Sequence, residues 1–380
     1  MLKRRVVVGA KIESSYGEAE TISATDCFLA YDIVFTPGIE SLARDTFSES
    51  LGEVSPQPGA RTATVTFVTD IYGSGTAGTA PPFGVLLRAC GMLELLDSGV
   101  QALYQSRDTG FESVTVTIWQ DGLKHVMRGC RGRFEAVMEM GQRGKINWTF
   151  EAVDFTYTDE NIPEGIYSII VPPVCLNQNF SIGGYSAVVP SLNIGVNNTL
   201  TRAPSLNATG GYARIDITER VVEGTISPEA VTVATHGFYT SWANGTKSDL
   251  TITLGTVAGN ICKVTAPRVH YTGFSFEDRA GILAHSLPFK CVEMVSTVSG
   301  ACDSTTSAGV IKDTSLFDEN DEYNGARLTM TSGTYYGKAR IISDVDASVG
   351  TATLEAAFAG VPAEGDQFGI SKKEVQILFK

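Results

Sequence analysis

Charge is scarce in this 380-residue sequence: charged residues make up 19% of it, and 29 Lys and Arg face 42 Asp and Glu, a formal net charge of −13. Without clustered Lys and Arg a surface cannot hold phosphates, so the balance argues against a nucleic-acid reader, and DNA would be repelled. Long apolar runs are also missing, and none approaches the roughly 20 residues that a membrane-spanning helix needs. The opening Met1-Leu2-Lys3-Arg4-Arg5-Val6-Val7-Val8 imitates a signal peptide. Its apolar run ends at Lys11, too short for an h-region, and the expectation is a protein made in and kept in the cytosol.

The residues of catalysis and metal binding are few and scattered. Seven cysteines (Cys27, Cys90, Cys130, Cys175, Cys262, Cys291, Cys302) include no C-x-x-C pair and are odd in number, which points to free buried thiols. The four histidines (His125, His236, His270, His285) fit no H-x-x-x-H or H-E-x-x-H frame, and there is no G-x-S-x-G elbow. His125, His270 and His285 lie inside strand patterns and read as ordinary strand residues. Gly73-Ser74-Gly75-Thr76-Ala77-Gly78 satisfies G-x-G-x-x-G, yet Pro81-Pro82 intervene before the next helix and the following strands alternate as antiparallel ones do. A flexible loop is the better reading. The sequons at Asn147, Asn197, Asn207 and Asn244 mean little without export. No catalytic, cofactor or metal residues are assigned.

What is present is a β-rich composition. Hydrophobic residues reach 43%, and Gly, Thr, Ser and Val are abundant, favouring strands and turns over long helices. The length implies two or three domains. An internal repeat supplies two of them. In Ser113-Val114-Thr115-Val116-Thr117-Ile118 apolar residues alternate with hydroxyls, as in a strand with one buried face, and Asp249-Leu250-Thr251-Ile252-Thr253-Leu254 repeats the register. From Gly122 onward the halves align without a gap at an offset of 137, placing Arg131 on Arg268, Phe134 on Tyr271, Gly144 on Gly281, Ile146 on Leu283 and Phe150 on Leu287. Upstream, the strand at 62–67 corresponds more loosely to 214–218.

A short helix is expected after each upstream strand. The first carries Phe83, Leu86, Leu87 and Cys90 at i, i+3, i+4 and i+7 with Gly91 at its stop. The second is expected to start at Ser227-Pro228, run through Ala230, Val233 and Ala234, and stop at Gly237.

Beyond Leu287-Pro288-Phe289 the composition shifts to a Ser/Thr/Gly/Ala stretch and then to short strands about ten residues apart with turn signals, a small all-β unit. Residues 295–371 hold 11 acidic and 4 basic side chains, more than half of the net negative charge. The acidic run at 318–322 lacks the spacing of a calcium loop and reads as a solvated turn. The last residues, with Glu374-Val375-Gln376-Ile377-Leu378-Phe379, form a strand pattern. The expected division is module 1 at 1–160, module 2 at 161–294 completed by strand 372–380, and a third unit at 295–371.

Lys11-Ile12-Glu13-Ser14-Ser15-Tyr16-Gly17, Ala24-Thr25-Asp26, the glycine run from Gly73 to Pro81, and Leu86-Leu87-Arg88-Ala89-Cys90-Gly91 together resemble the tail tube proteins of long-tailed bacteriophages. Ile182 and Gly183-Gly184-Tyr185-Ser186-Ala187 open the second half in a similar way. The resemblance spans about residues 5–294. The segment with Tyr323-Asn324-Gly325, Ser332-Gly333 and Arg340-Ile341-Ile342 is similar to a small β domain that decorates phage virion proteins; the match near Phe358 is partial.

The resemblance implies a mainly β fold of two tandem tube modules, each a sandwich or barrel with one helix, plus a β decoration domain. It implies six modules per ring, so three copies of this duplicated chain, stacked into a tube. The implied partners are further copies of the chain, the tape-measure protein, the tail terminator and distal tail or baseplate proteins, with DNA passing unbound. Long loops would link the rings: Glu40 to Ala60, with Arg44, Asp45, Phe47 and Pro56, and its counterpart Asn198 to Gly211, with Arg202. An appendage on every chain would obstruct a contractile sheath and favours a flexible tail. The rival readings are a tube subunit of a phage-derived secretion or tailocin system, and a β-rich carbohydrate-binding adhesin.

Overall fold

The computed structural model describes residues 2, 4–47, 49, 52–293, 297–304, 306–317 and 323–380. The acidic run at 318–322 lies outside them. The first module contains β1 (Val6–Ile12), β2 (Cys27–Phe28), β3 (Tyr31–Arg44), β4 (Val54–Asp70), α1 (Gly84–Ala89), β5 (Met92–Asp97) and β6 (Gln101–Ser106). It continues with β7 (Val114–Gln120), β8 (Leu123–Glu139), β9 (Lys145–Ala152) and β10 (Asp154–Asp159). The long strand β8 belongs to two sheets. Its first half pairs with β7 and β10, its second half with β9, and β9 pairs with β4 and β4 with β3. Gly129, at φ +62°, sits where β8 passes from one sheet to the other; a side chain there would press on Val153. Between the sheets lie Phe67, Phe83, Leu86, Leu87, Met127, Trp148 and Phe150, all buried. This follows from the period-two alternation, which puts Val65, Phe67, Ile146, Trp148 and Phe150 on one face.

The second module contains β11 (Asn179–Ile182), β12 (Ser191–Pro204), β13 (Tyr212–Ile226), α2 (Phe238–Asn244), β14 (Ser248–Leu254), β15 (Cys262–Tyr271), β16 (Ser275–Arg279) and β17 (Ile282–Cys291). Its ladders copy those of the first. Val116 pairs with Met127 in β7–β8, and Ile252 with Val264 in β14–β15, as the gapless alignment requires. Beyond Tyr271 the copy slips. Phe134 pairs with Trp148 and Tyr271 with Phe289, so Trp148 corresponds to Phe289. Phe150, opposite Gly132, corresponds to Cys291, opposite Val269, and not to Leu287. The β16–β17 hairpin is longer than its first-module counterpart, and the extra length displaces the alignment. The correspondence upstream is corrected in the same way: Val65 and Phe67 answer to Val222 and Gly224, not to 214–218.

The second helix lies downstream of its expected place. Glu229 bridges to Ala284, and the Ala230 N–H donates to the Leu283 carbonyl, so the stretch after Ser227-Pro228 is extended. Thr232 to His236 then make a single turn, with the Thr235 and His236 N–H groups donating to the Thr232 carbonyl, and the β-branched Val231, Thr232, Val233 and Thr235 do not extend it into a helix. Gly237 is the N-cap of α2 and not a stop, and Gly245, at φ +64°, ends the helix. Phe238 anchors it among Tyr185, His236, Tyr271 and His285.

The third unit has β18 (Val298–Ala301), β19 (Val310–Lys312), β20 (Arg327–Met330), β21 (Ala339–Asp346), β22 (Thr351–Leu354) and β23 (Gln367–Ser371) around its own core of Phe317, Leu328, Ile342 and Phe368. The chain then returns as β24 (Gln376–Phe379), which pairs with β15 on one edge and β6 on the other. Ile377 opposite Val264 stands where Phe155 stands opposite Met127, so β24 is the second-module equivalent of β10. All seven cysteines are buried with free thiols.

Candidate assembly interface

The feature that positions everything else is a strand joint between the modules. The second half of β8 pairs with β12, Phe134 opposite Val196 and Glu139 opposite Ser191. The sheets thereby fuse into one run: β3, β4, β9, β8, β12, β13, β17. One face of it is core. The other alternates out Thr62, Thr64, Thr66, Arg133, Glu135, Lys145, Asn147, Thr149, Glu151, Asn193, Asn197, Glu223, Thr225 and Lys290, a surface of hydroxyls, amides and charges of both signs.

Side chains lock the joint. Asn198 is buried, and its Nδ2 donates to the carbonyls of Cys90 and Gly132, both at 2.8 Å. Arg131 reaches from β8 to β13, where Nη1 donates to the Ile215 carbonyl at 2.5 Å; Nη2 donates to the Phe111 carbonyl at 2.7 Å, and the guanidinium lies 4.9 Å from the Tyr16 ring centre. Tyr16 donates to the Gly129 carbonyl and accepts the Ile215 N–H at 2.6 Å. Burial pushes its phenol up to about 12, with the Ile215 N–H and Arg131 working against the rise. Glu13, also buried, accepts from Ser113, Thr115 and the Gly129 N–H, which fixes the start of the bend that carries Arg131.

The glycine run makes a second contact between the modules, with the turn that joins β14 and β15. The Gly75 N–H donates to the Gly259 carbonyl, the Gly73 N–H to Asn260 Oδ1, and a Cβ on Gly73 would collide with Gly259. These glycines allow two backbones to touch, so the loop expected to be flexible is packed at Gly73 and Gly75 against residues 259–260.

At either end of the fused sheet an edge stays open. Among the described residues no strand pairs with the outer edge of β3, nor with the edge of 271–279 that faces away from β17. The loops expected to link rings are largely strand. Glu40 to Arg44 extends β3, Val54 to Ala60 extends β4, and Asn198 to Pro204 belongs to β12, giving two long hairpins. Arg44, Asp45, Phe47 and Pro56 are exposed at or near the tip of the first, and Leu206 is exposed at the tip of the second. Asn198 is held within the joint, and Arg202 forms an ion pair with Glu151 at 2.6 Å. Sequence reasoning missed Arg131, Tyr16 and Glu13 as joint residues, although the matched arginine and the Lys11–Gly17 motif had marked the positions.

The model of one family, described as phage tail tube protein, matches residues 3–291. The chain belongs to that family. Membership makes this tail tube protein a structural component of a virion tail, and the family is not a class of enzyme. Two solved structures are similar to it at low level. One is the virion of a native gene transfer agent particle, 11% identical, covering 64% of this chain and 79% of that one with a TM-score of 0.18. The other is the SPP1 Dit protein, described as a paradigm of the hub adsorption apparatus in phages infecting Gram-positive hosts, 12% identical, covering 53% and 97% with a TM-score of 0.19. No curated protein matches the chain.

Proposed function

We propose that three copies of this tail tube protein close into a ring with pseudo-sixfold symmetry, and that rings stack into the hollow tube of the tail. The observation that carries the reading is the joint between β8 and β12. The open edges, β3 and 271–279, are the equivalents of β12 and β8, so one chain ends in the two halves of a joint it already contains once. Head-to-tail repetition of a joint that closes gives a ring, and it removes edges that would otherwise template aggregation. The face of hydroxyls, amides and charges of both signs would line the bore, holding the tape-measure protein during assembly and letting DNA pass without gripping it. The exposed tip with Arg44, Asp45 and Phe47 would reach the next ring. The third unit, fixed on β6 and β24, would stand where a sheath would pack, which favours a flexible tail. Tail terminator and distal tail proteins would cap the two ends.

Electron microscopy of the purified protein tests this. Threefold rings or hollow tubes are expected. A strictly monomeric protein at high concentration would overturn the reading.

A further inference from the structure

We infer that Arg268 and the open strand edge 271–276 are the seat of the β3–β4 hairpin of a second copy, in a register fixed by the internal joint. The inference rests on the ring reading and adds to it a named register and a named anchor.

The register follows from the ladders. Phe150, Val65 and Phe35 stand in line across β9, β4 and β3; Cys291, Val222 and Val196 stand in line across β17, β13 and β12. Phe35 is therefore the equivalent of Val196, and Tyr271 that of Phe134. Since Phe134 faces Val196 within the chain, Tyr271 of one copy faces Phe35 of the next. One step along, Thr272 faces Val34 as Glu135 faces Gly195. Both Val34 and Thr272 are exposed.

The anchor follows from the arginine pair. Arg131 holds the β12–β13 hairpin by the Ile215 carbonyl. Arg268 occupies the same place on β15, yet the single polar contact of its guanidinium among the described residues is to the Glu293 carbonyl at 3.3 Å. Carried across, the strand that Ile215 occupies falls on residues 58–60 of β4, which gives the Arg268 guanidinium a backbone carbonyl to hold. An aromatic patch flanks the seat. Phe274 stacks with Trp242 and meets Tyr239 and Phe276 edge-on, while Tyr239 is 56% and Phe276 65% exposed. Exposed rings beside an open strand edge are a surface to be covered. The two joints differ at one point: the buried Asn198 of the internal joint answers to Pro37, which has no side-chain donor, so Arg268 carries more of the polar anchoring between copies.

The test is a paired cysteine substitution, Val34→Cys with Thr272→Cys, in the full chain. Directly opposed strand residues lie within disulfide reach, and the native thiols are buried. Oxidation of assembled protein is expected to give a denaturing-gel ladder ending at three chains, absent from either single variant. Arg268→Ala in that background is expected to lower the crosslinked fraction at least tenfold while thermal unfolding of the unassembled chain is unchanged. Rings that form while Thr36→Cys with Thr272→Cys crosslinks better than the proposed pair would overturn the register and leave the ring reading standing. Crosslinking unaffected by Arg268→Ala would overturn the anchor. Absence of any ring or tube overturns both.

Discussion

At the scale of single residues, the joint turns on groups that satisfy buried backbone. Asn198 supplies one amide to two buried carbonyls, and removing a donor from such a site costs the desolvation of what it leaves behind, about 1–3 kcal/mol. Asn198→Ala is expected to lower stability by that amount in chemical denaturation, where Asn197→Ala, on the exposed face, changes little. Tyr16 gives the joint a pH dependence. The folded state favours the neutral phenol, so the stability Tyr16 contributes is fully present below its ordinary value near 10 and is lost as pH rises through about 12. Tyr16→Phe is expected to flatten the alkaline limb of stability against pH between those values, seen by thermal unfolding across a pH series.

At the scale of elements, β24 has the most consequential position. It fills the slot of β10 in the second module and at the same time pairs with β6 of the first, so one four-residue strand closes two ladders. Phe379 meets Phe83 and Tyr104 edge-on in the shared core, and Leu378 on the opposite face packs with Leu103 and Ile341 of the third unit. Arg340 and Lys338 add ion pairs to Asp97, and Lys263 one to Glu355, which fix that unit against both modules. Phe379→Ala is expected to cost about 3–5 kcal/mol, as large-to-small changes in a closed core do, and to expose both modules to proteolysis together. The β3–β4 hairpin makes a different prediction. Phe47 is fully exposed and touches no core, so Phe47→Ser is expected to leave folding and rings intact while shortening or abolishing tubes in negative-stain images.

At the scale of the whole molecule, the charge distribution decides how the tube would treat its cargo. The third unit, with most of the excess acid in sequence, lies on the β6–β24 side, away from the polar face of the fused sheet. That face carries Glu135, Glu139, Glu151 and Glu223 against Arg133, Lys145 and Lys290, with Glu223 opposite Lys290 in the β13–β17 ladder, and Asn147, Asn197 and Arg202 bond to three of those carboxylates. A bore lined by this face would be close to neutral and well hydrated. The expected outcome is that assembled tubes fail to retain duplex DNA at about 0.15 M salt in a sedimentation assay, since phosphate contacts need cationic clusters that this face lacks.

Alternation, turn residues and the repeat were legible in the sequence, and with them the mainly β class, the first helix and the family. The faces of β4, β8 and β9 follow from hydroxyl and apolar residues at period two, a local property. The second helix was not legible in place, because a good N-cap signal at Ser227-Pro228 lost to strand contacts with Ala284 and Leu283 from far along the chain. The site was legible only as marked positions: a matched arginine, a glycine run, a short motif around Glu13 and Tyr16. Pairing is the reason. Alternation fixes which face of a strand is buried, but says nothing about which edge it meets or in what register; that is settled by the other edges available once the chain is compact. The sequence by itself determined the alternating faces, the turns and the first helix, and pointed to two copies of one module with a third unit. Tertiary structure decided that β8 receives β12, that β24 lies between β6 and β15, and that among the described residues the outer edges of β3 and of 271–279, the counterparts of β12 and β8, carry no strand.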